Sequence, residues 1–341
     1  MTDPQGLDTA AVARWLSAVS PDAVAGPFEA SLITGGKSNL TYLVTDGVHD
    51  YVVRRPPLGH VLATAHDMAR EHRVMAALAD TAVPVPRMVA LCENVDVIGS
   101  PFYVMDRVAG TPYSRAAQLE PLGPERTRTI TERMVDTLVD LHAIDYREVG
   151  LGEFGRPEGY LERQVRRWKK QLAASTSREL PGMDELVAHL ESNIPASGDG
   201  TIVHGDFRLD NLLVEDDRVT AVLDWEMSTL GDPLTDVAIL LAYQQLAEAA
   251  PPSSSGGAVV TDAPLAPGYL SSDEVIARYA AGSGRDVSDL GYHLSLAFFK
   301  LAVILEGIHL RHTQGQTVGA GFDGIGDMIA PLISAGRAAS R

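Results

Sequence analysis

The second half of the chain is predicted to be mainly helical, and one run of short strands interrupts it at residues 201–224. The β-branched pair Ile202-Val203 and the segments Asn211 to Val214 and Val219 to Asp224 have strand character. An acidic turn, Glu215-Asp216-Asp217, separates the last two segments. The sequence therefore predicts a helical region that surrounds one loop and one hairpin, which is an α+β arrangement rather than an all-helical one.

The first 107 residues have a different pattern, because strand signals dominate there. Helices are predicted at residues 7–18 and from Thr64 to Ala79. Strands are predicted from Ala30 to Val44 with a break at Gly35-Gly36, and then at 50–55, 88–92 and 102–106. We predict a small antiparallel-sheet lobe at 1–107 and a larger lobe at 108–341, whose helices lie at 124–142, 158–174, 182–192, 271–281 and 289–311.

The formal net charge of −17 disfavours nucleic acid as a partner. It also means that an anionic ligand needs a metal ion or a few basic side chains. The single Cys92 fits a reducing compartment, and no signal peptide pattern is visible. The apolar stretch Ala297 to Leu310 contains Lys300 and Glu306, which favours a buried helix over a membrane span. We expect a cytoplasmic protein with no membrane partner.

Residues 204–211 read His-Gly-Asp-Phe-Arg-Leu-Asp-Asn, and the hairpin that follows ends in Asp224. Phosphoryl transfer from ATP requires a group that orients the attacking hydroxyl and divalent cations with oxygen ligands. The spacing predicts Asp206 as the base, with Asn211 and Asp224 as metal ligands. Arg208 lies two residues after Asp206, and its guanidinium is predicted to contact the transferring phosphoryl group.

This pattern resembles the aminoglycoside phosphotransferase and choline kinase superfamily, which is related to protein kinases. Within it, the sequence is most similar to kinase-like domains found alone in bacteria or fused to acyl-CoA dehydrogenases. The family sequence H-G-D-x-x-x-x-N matches residues 204–211, Leu-Asp-Trp-Glu at 223–226 contains the metal-binding Asp, and G-D-P-x-x-D matches 231–236. The resemblance covers residues 25 to 310. It implies a bilobal protein-kinase-like fold that uses ATP and Mg²⁺.

The resemblance implies that the small lobe binds ATP, and a glycine-containing loop lies where a phosphate-covering hairpin belongs. Its candidate contacts are Gly35, Gly36, Lys37 and Ser38. The alternative is a tight hairpin turn with no ligand. A P-loop is disfavoured, because Ser31 stands where its first glycine belongs and a strand is predicted to follow instead of a helix.

A kinase-like lobe also needs a cation on its third strand and a carboxylate on the next helix. Arg54 takes the place of the family's Lys, and Glu71 is the predicted partner. A solvated surface Glu is the alternative for Glu71. The exchange of Lys for Arg puts the grip on the α- and β-phosphates in doubt. Arg55 is directed to the opposite face by strand alternation. The segment that includes Asp106 and Val108 is expected to hydrogen-bond adenine through its backbone.

Four further residues near the motifs have supporting roles in our interpretation. His204 is expected to hold the loop by hydrogen bonds. Asp236 is a candidate helix N-cap, and the resemblance implies that it braces the loop backbone, a role that is compatible with capping. Asp210 and Glu226 are expected to be solvated or to act indirectly on the metal site.

The phosphate acceptor is the least constrained part of the prediction. On one helix Arg163, Arg166, Arg167 and Lys170 form a basic face at i, i+3, i+4 and i+7. The face either binds an anionic acceptor, such as the phosphates of a CoA thioester, or is a solvated stripe. We expect a small hydroxylated acceptor, for instance a hydroxyacyl or another metabolite, in preference to an aminoglycoside. A catalytically silent nucleotide-binding pseudokinase is the alternative, and it would be encouraged only by Arg54.

Overall fold

The computed structural model of the chain describes residues 3–33, 39–58, 66–176, 178–196, 198–249, 261–316, 322 and 324–339. The chain divides into two compact units. The first contains residues 1–110 together with 220–228, and the second contains 111–219 and 229–341. The sequence predicts a boundary at residue 107. The segment 220–228, which ends the central hairpin, belongs to the first unit although it lies far along the chain.

The first unit is an antiparallel sheet with helices. Its elements are α1 (Thr9–Val19), β1 (Glu29–Leu32), β2 (Leu40–Thr45), β3 (Asp50–Arg55), α2 (Met68–Leu78), β4 (Met88–Cys92) and β5 (Phe102–Asp106). The strand order is β1-β2-β3-β5-β4, and every neighbouring pair is antiparallel. Asp8 begins α1, since its side chain accepts the N–H of Ala11, and Asp67 begins α2 in the same way. These strands and helices agree with the sequence prediction, except that α2 begins at Met68.

Strand alternation divides the side chains of β3 between two environments. Tyr51 and Val53 pack with Val12 and Leu16 of α1 in one apolar core. Arg55 shares that face, where its guanidinium donates to the carbonyl oxygens of Gly6 and Ile98. Arg54 therefore faces the other side of the sheet, as predicted.

The second unit is mainly helical. In chain order its elements and the hairpin strands are α3 (Ala116–Leu119), α4 (Pro124–Ala143), α5 (Tyr160–Ser175), α6 (Met183–Ser192), β6 (Thr201–Val203), β7 (Leu212–Glu215), β8 (Arg218–Val222), β9 (Thr229–Gly231), α7 (Leu234–Ala249), α8 (Ser272–Ser283), α9 (Leu290–Thr313) and α10 (Ile329–Ala339). β6 pairs with β9 in antiparallel fashion. The three predicted strands and five predicted helices are present, but α3, β9, α7 and α10 were not predicted. The fold class, a small antiparallel sheet with a larger helical part, is confirmed.

The long helix α9 forms the centre of the second unit. It is the one helix among the described residues that is long and apolar enough, by length and composition, to cross a membrane. However, 67% of its most apolar window is buried within the protein, where it packs against α5, α7 and α10. Its Glu306 is fully buried and pairs with Arg178 at 2.9 Å. This is the environment of a core helix, as the charged residues in the sequence indicate.

Candidate active site

In the first unit, Arg54 is surrounded by carboxylates, and we call Arg54, Glu71, Asp224 and Glu226 the Arg54 cluster. The Nε atom of Arg54 lies 3.2 Å from Oε2 of Glu71. Its Nη2 lies 2.5 Å from Oδ1 of Asp224 and 3.9 Å from Oε2 of Glu226. The structure thus contains the ion pair between β3 and α2 that the sequence predicts, and it gives Arg54 a second partner in Asp224.

Glu71 is the most buried member of the Arg54 cluster, with 1% of its surface exposed. It accepts hydrogen bonds from the hydroxyl of Tyr103 at 3.0 Å and from the amide of Asn39 at 3.2 Å. Burial raises the pKa of Glu71 above its ordinary value, although Arg54 and Tyr103 oppose that shift. The alternative of a solvated surface Glu is wrong, because α2 directs this side chain onto the sheet.

Hydrogen bonds fix the backbone on either side of Asp224. It has a φ of +65°, in the left-handed region that Asp tolerates better than most residues. On one side of it, the N–H of Val222 donates to the carbonyl of Pro84 at 2.8 Å. On the other side, the guanidinium of Arg70 donates to the carbonyl of Ser228 at 3.1 Å. The carboxylate remains 29% exposed, so it is accessible to a ligand.

The remaining predicted nucleotide contacts lie in two segments of the first unit. Asp106, at the end of β5, forms a two-pronged ion pair with Arg87 at 2.7 and 2.9 Å. Val108 follows on an irregular stretch, and its backbone N–H has no hydrogen-bond partner among the described residues. That leaves it available to a base edge. The predicted phosphate contacts lie outside the described residues: Gly35, Gly36, Lys37 and Ser38. β2 begins at Leu40, so a strand follows that loop, which contradicts the P-loop alternative.

In the second unit, the loop at residues 204–211 places Asp206 among hydrogen-bond donors. The amide nitrogen of Asn211 donates to the backbone oxygen of Asp206 at 2.8 Å and to its carboxylate at 3.1 Å. The N–H of Asp206 lies 3.3 Å from Nδ1 of His204, whose side chain is buried. The supporting role predicted for His204 agrees with this position. The nitrogen of the Asn211 amide is used by Asp206, and among the residues that the structure describes its oxygen accepts no hydrogen bond.

The buried carboxylate of Asp236 fixes the start of the same loop. It accepts the N–H of His204 on Oδ2 and the N–H of Gly205 on Oδ1, both at 2.7 Å. His142 lies 3.2 Å from Oδ2 and 2.8 Å from the hydroxyl of Tyr279. We call Asp236 and His142, with the two N–H groups, the loop clamp. Asp236 lies inside α7, so the N-cap interpretation is wrong and the bracing geometry implied by the resemblance is present.

The electrostatics of the loop clamp follow from its burial. Burial alone would raise the pKa of Asp236, but hydrogen bonds from His142 and from the N–H of Gly205 lower it below the ordinary value. Burial lowers the pKa of His142. A neutral His142 donates its Nε2–H to Asp236 and accepts from Tyr279 on Nδ1, which satisfies every polar atom of the ring.

Arg208 is held beside Asp206 rather than extended into solvent. Its Nε lies 3.3 Å from Oδ2 of Asp206, and its Nη1 lies 3.2 Å from Oδ2 of Asp210. The guanidinium carbon stacks 4.4 Å above the ring centre of Tyr243. Asp210 is therefore paired with Arg208. Contact of Arg208 with a transferring phosphoryl group stays a prediction.

Sequence reasoning missed two residues that contact this loop, Tyr243 and Lys300, and a third, His142, that contacts Asp236. Each is distant in sequence from residues 204–211, so no local spacing identifies it. The one available signal was Lys300, which is a charged residue within an otherwise apolar helix. The basic face of α5 is partly engaged elsewhere, because Arg163 donates to the backbone carbonyls of Arg156 and Glu158.

The donor atoms at these two places fit a hard cation. Asp224 offers a partly exposed carboxylate, and Asn211 offers an amide oxygen. Among the described residues no group of three His, Cys, Asp or Glu side chains is arranged to hold a metal ion. Mg²⁺ is commonly bound by one or two protein oxygens together with phosphate oxygens and water, so each donor is of the type that a magnesium nucleotide uses. Their assignment as metal ligands stays a prediction.

Comparison with known proteins agrees with the sequence motifs. The chain is 36% identical over 308 residues to acyl-CoA dehydrogenase family member 10 of Mus musculus, which covers 86% of this chain. It spans 28% of that protein's length, and 28–41% of the curated relatives it matches. The resemblance to domains associated with acyl-CoA dehydrogenases is confirmed.

Solved structures share the fold. A protein of Ralstonia eutropha JMP134, assigned as an aminoglycoside phosphotransferase, has a TM-score of 0.82 and 33% identity over 98% of both chains. A thermostable mutant of aminoglycoside phosphotransferase APH(4)-Ia, in ternary complex with ADP and hygromycin B, has a TM-score of 0.61 at 14% identity, over 97% of this chain and 98% of that one. The model of the phosphotransferase enzyme family matches residues 29–266. The chain therefore belongs to the phosphotransferase enzyme family.

Proposed function

We propose that this protein is an ATP- and Mg²⁺-dependent phosphotransferase that transfers the γ-phosphate of ATP to a hydroxyl of a small molecule. Asp206 orients the acceptor hydroxyl and takes its proton. Asn211 and Asp224 hold Mg²⁺, which when bound neutralises charge on the phosphates. Arg54 contacts the α- and β-phosphates, and the backbone near Asp106 and Val108 receives the adenine.

The observation that supports this proposal best is the geometry around Asp206. Its carboxylate is 21% exposed, so a substrate hydroxyl can reach it. At the same time Asn211 and Arg208 restrict its orientation from two sides. A carboxylate that is held but accessible is what general-base catalysis and substrate positioning require.

The acceptor is proposed to be neutral or negatively charged, as a hydroxyacyl metabolite is. The cationic groups of Arg208 and Lys300 lie close enough to Asp206 to interact with its charge, and Arg167 interacts electrostatically with Lys300. A polycationic aminoglycoside would meet like charges in this neighbourhood, which costs free energy. The proposed acceptor is therefore not an aminoglycoside such as the one in the solved complex.

The decisive experiment starts with an ATP-consumption screen of hydroxylated metabolites, including hydroxyacyl-CoA thioesters, amino alcohols and aminoglycosides. The Asp206→Asn variant is then tested with the best acceptor. We expect it to fold and to bind ATP like the wild type. Its turnover should fall by about 10²–10⁴-fold or more, because the group that takes the proton is lost. Turnover near the wild-type value in this variant would refute the assignment of Asp206.

A silent nucleotide-binding protein is the second candidate, and Arg54 is the observation that favours it. The Arg54 guanidinium is bound to Asp224 at 2.5 Å, so a proposed metal ligand is paired with a cation. Thermal unfolding with ATP, with and without Mg²⁺, separates the two candidates. A shift in the unfolding temperature that depends on Mg²⁺, together with turnover, supports the enzyme. A shift that is independent of Mg²⁺, with no turnover for any acceptor, supports the silent protein.

A further inference from the structure

Lys300 is a partly buried cation in the mainly apolar helix α9 that the predicted reaction does not use. Its Nζ donates a hydrogen bond to the carbonyl oxygen of Gly205 at 2.6 Å. It also lies 5.8 Å from the ring centre of Trp168 on α5, within the range of a cation–π contact. Burial lowers the pKa of Lys300, while the negative charges of Asp206 and Asp236 oppose that shift. A cation in such a place needs a reason, because desolvation is costly.

The acceptor of this hydrogen bond is the residue directly before Asp206. Gly205 has a φ of +87°, a conformation that glycine adopts readily and other residues rarely do. Glycine also has the largest backbone freedom of any residue, so a loop that turns at a glycine needs external contacts to keep one conformation. The N–H of Gly205 is held by Asp236 at 2.7 Å.

Gly205 is therefore held from both sides by charged groups of opposite sign. Asp236 on α7 accepts from its N–H, and Lys300 on α9 donates to its carbonyl. Each charge matches the end of the peptide dipole that it contacts, which makes both hydrogen bonds of the strong, charge-assisted kind. α7 and α9 pack against each other, so both hydrogen bonds come from one packed part of the second unit.

We propose that Lys300 is a positioning residue for catalysis: it fixes the carbonyl of Gly205 and thereby the direction in which the Asp206 side chain leaves the loop. This inference rests on the proposed function of Asp206. Lys300 itself neither transfers a proton nor contacts phosphate. Lys300 lines a small cavity together with Gln164, Thr235 and His293. Its volume, about 30 Å³, has room for about one water molecule and is too small for a substrate.

The test compares three variants with the wild type by amide hydrogen exchange of the loop. Lys300→Met keeps the apolar stem and removes the donor, and we expect the amides of residues 203–208 to exchange about tenfold faster or more. Lys300→Gln retains an N–H donor without the charge. The loop amides of this variant should therefore exchange at a rate between those of the wild type and of Lys300→Met. Ser295→Ala is the matched control, because Ser295 lies on the same helix as Lys300. The substitution removes a buried hydrogen bond of 2.7 Å from Ser295 to the carbonyl of Gly336 on α10. Exchange in the loop should be unchanged in this control.

The kinetic readout is ADP release with water as the acceptor, which needs no identified substrate. In Lys300→Met we expect kcat to fall about 10–100-fold while KM for ATP stays within about twofold, because positioning of the base is affected and nucleotide binding is not. Ser295→Ala should lose comparable thermal stability with kcat unchanged. Wild-type exchange in the loop of Lys300→Met, or an equal loss of kcat in Ser295→Ala, would overturn the proposal. If Lys300→Met does not fold, Lys300→Gln decides by the same two criteria.

The hydrogen-exchange result separates this inference from the proposed function, because exchange does not depend on phosphoryl transfer. Faster loop exchange in Lys300→Met, with full turnover in Asp206→Asn, would show that Lys300 holds the loop while the function assigned to Asp206 is wrong. Unchanged exchange, with turnover lost in Asp206→Asn, would refute the role of Lys300 and leave the proposed function intact.

Discussion

The Arg54 cluster and the loop clamp both have a buried charged group at their centre, but the two groups have different kinds of partner. Within the described part of the chain, the close partners of Arg54 are the ends of other side chains, and the nearest, Asp224, is itself partly exposed. Asp236 instead contacts two backbone N–H groups and one ring, and it is completely buried. The first set of contacts can be exchanged for a ligand, whereas the second cannot be changed without moving the backbone.

This difference has a consequence for catalysis. Binding of a magnesium nucleotide to Asp224 would require its pairing with Arg54 to weaken, so part of the binding free energy is used to redistribute charges. The loop that carries Asp206 needs no such change, because Asp236 and Lys300 already hold Gly205 from both sides. Pre-organisation of this kind lowers the cost of reaching the transition state. The loop at residues 204–211 is thus held without any ligand, whereas the contacts of the Arg54 cluster can be redistributed.

The largest expected effect comes from breaking the loop clamp with Asp236→Ala. The substitution leaves the N–H groups of His204 and Gly205 without their acceptor and His142 without its partner, all in a buried place. We expect a loss of about 3–5 kcal/mol in the free energy of unfolding, measured by denaturant titration, and turnover reduced at least about 100-fold.

The matched control for Asp236→Ala is Asp145→Ala. Asp145 also accepts a backbone N–H, from Arg147 at 2.8 Å, but it is exposed. Its removal should change the free energy of unfolding by less than about 1 kcal/mol. Similar losses in the two variants would mean that burial of the acceptor is unimportant, and the distinction between the two clusters would fail.

A smaller effect is expected from Glu71→Gln in the Arg54 cluster. Tyr103 and Asn39 donate to different oxygens of Glu71, so the glutamine keeps the shape but has an acceptor oxygen for only one of them. The loss of stability should be about 1–2 kcal/mol. With Glu71 neutral, Arg54 shares its charge with Asp224 and Glu226 alone. Tighter pairing with Asp224 should weaken Mg²⁺-dependent nucleotide binding about tenfold, as measured by calorimetry.

Glu29→Gln serves as the control for Glu71→Gln, since Glu29 is exposed on β1 of the same sheet. The nucleotide affinity of Glu29→Gln should match the wild type within about twofold. Its free energy of unfolding should match within about 0.5 kcal/mol. Unchanged nucleotide affinity in Glu71→Gln would indicate that the pairing of Arg54 with Asp224 does not compete with the ligand.

The sequence predicted those parts of the fold and the site that have a local signal. β2 alternates, with Tyr42 and Val44 buried, and β3 contains the β-branched pair Val52-Val53. The residues of the loop at 204–211 have a fixed spacing. A helix after Asp236 entered the prediction only through the N-cap interpretation. α7 is buried on nearly all sides, including every residue from Val237 to Ala242, so no apolar stripe with helical period marks its extent. The contacts of Tyr243 and Lys300 with the loop depend on how α7 and α9 pack. Contacts between segments that are distant along the chain have no fixed residue spacing, so a single sequence does not predict them.

The smallest expected effects are in the dependence of stability on pH, and they have opposite signs in the two clusters. The pKa of Asp236 is lower in the folded protein than in the unfolded chain, so between those two values the unfolded chain binds more protons. The stability that Asp236 contributes is complete above the pKa of an ordinary Asp, about 3.9, and is lost as the pH falls through the lower folded value. The pKa of Glu71 is raised by burial, so the folded protein binds the proton more tightly and gains stability as the pH falls toward the ordinary value of about 4.3.

Unfolding free energies of the wild type, Asp236→Asn and Glu71→Gln, measured from about pH 7 to about pH 3, test this contrast. The advantage of the wild type over Asp236→Asn should stay constant down to about pH 4 and shrink below it, because the variant has no carboxyl to protonate. Its advantage over Glu71→Gln should grow as the pH falls through the raised pKa of Glu71. Parallel pH curves for the two variants would mean that their carboxyl groups have similar environments. Because one carboxylate is stabilised by N–H donors and the other is mainly desolvated, the curves should diverge, and the acidic range is where the two clusters are told apart without a ligand.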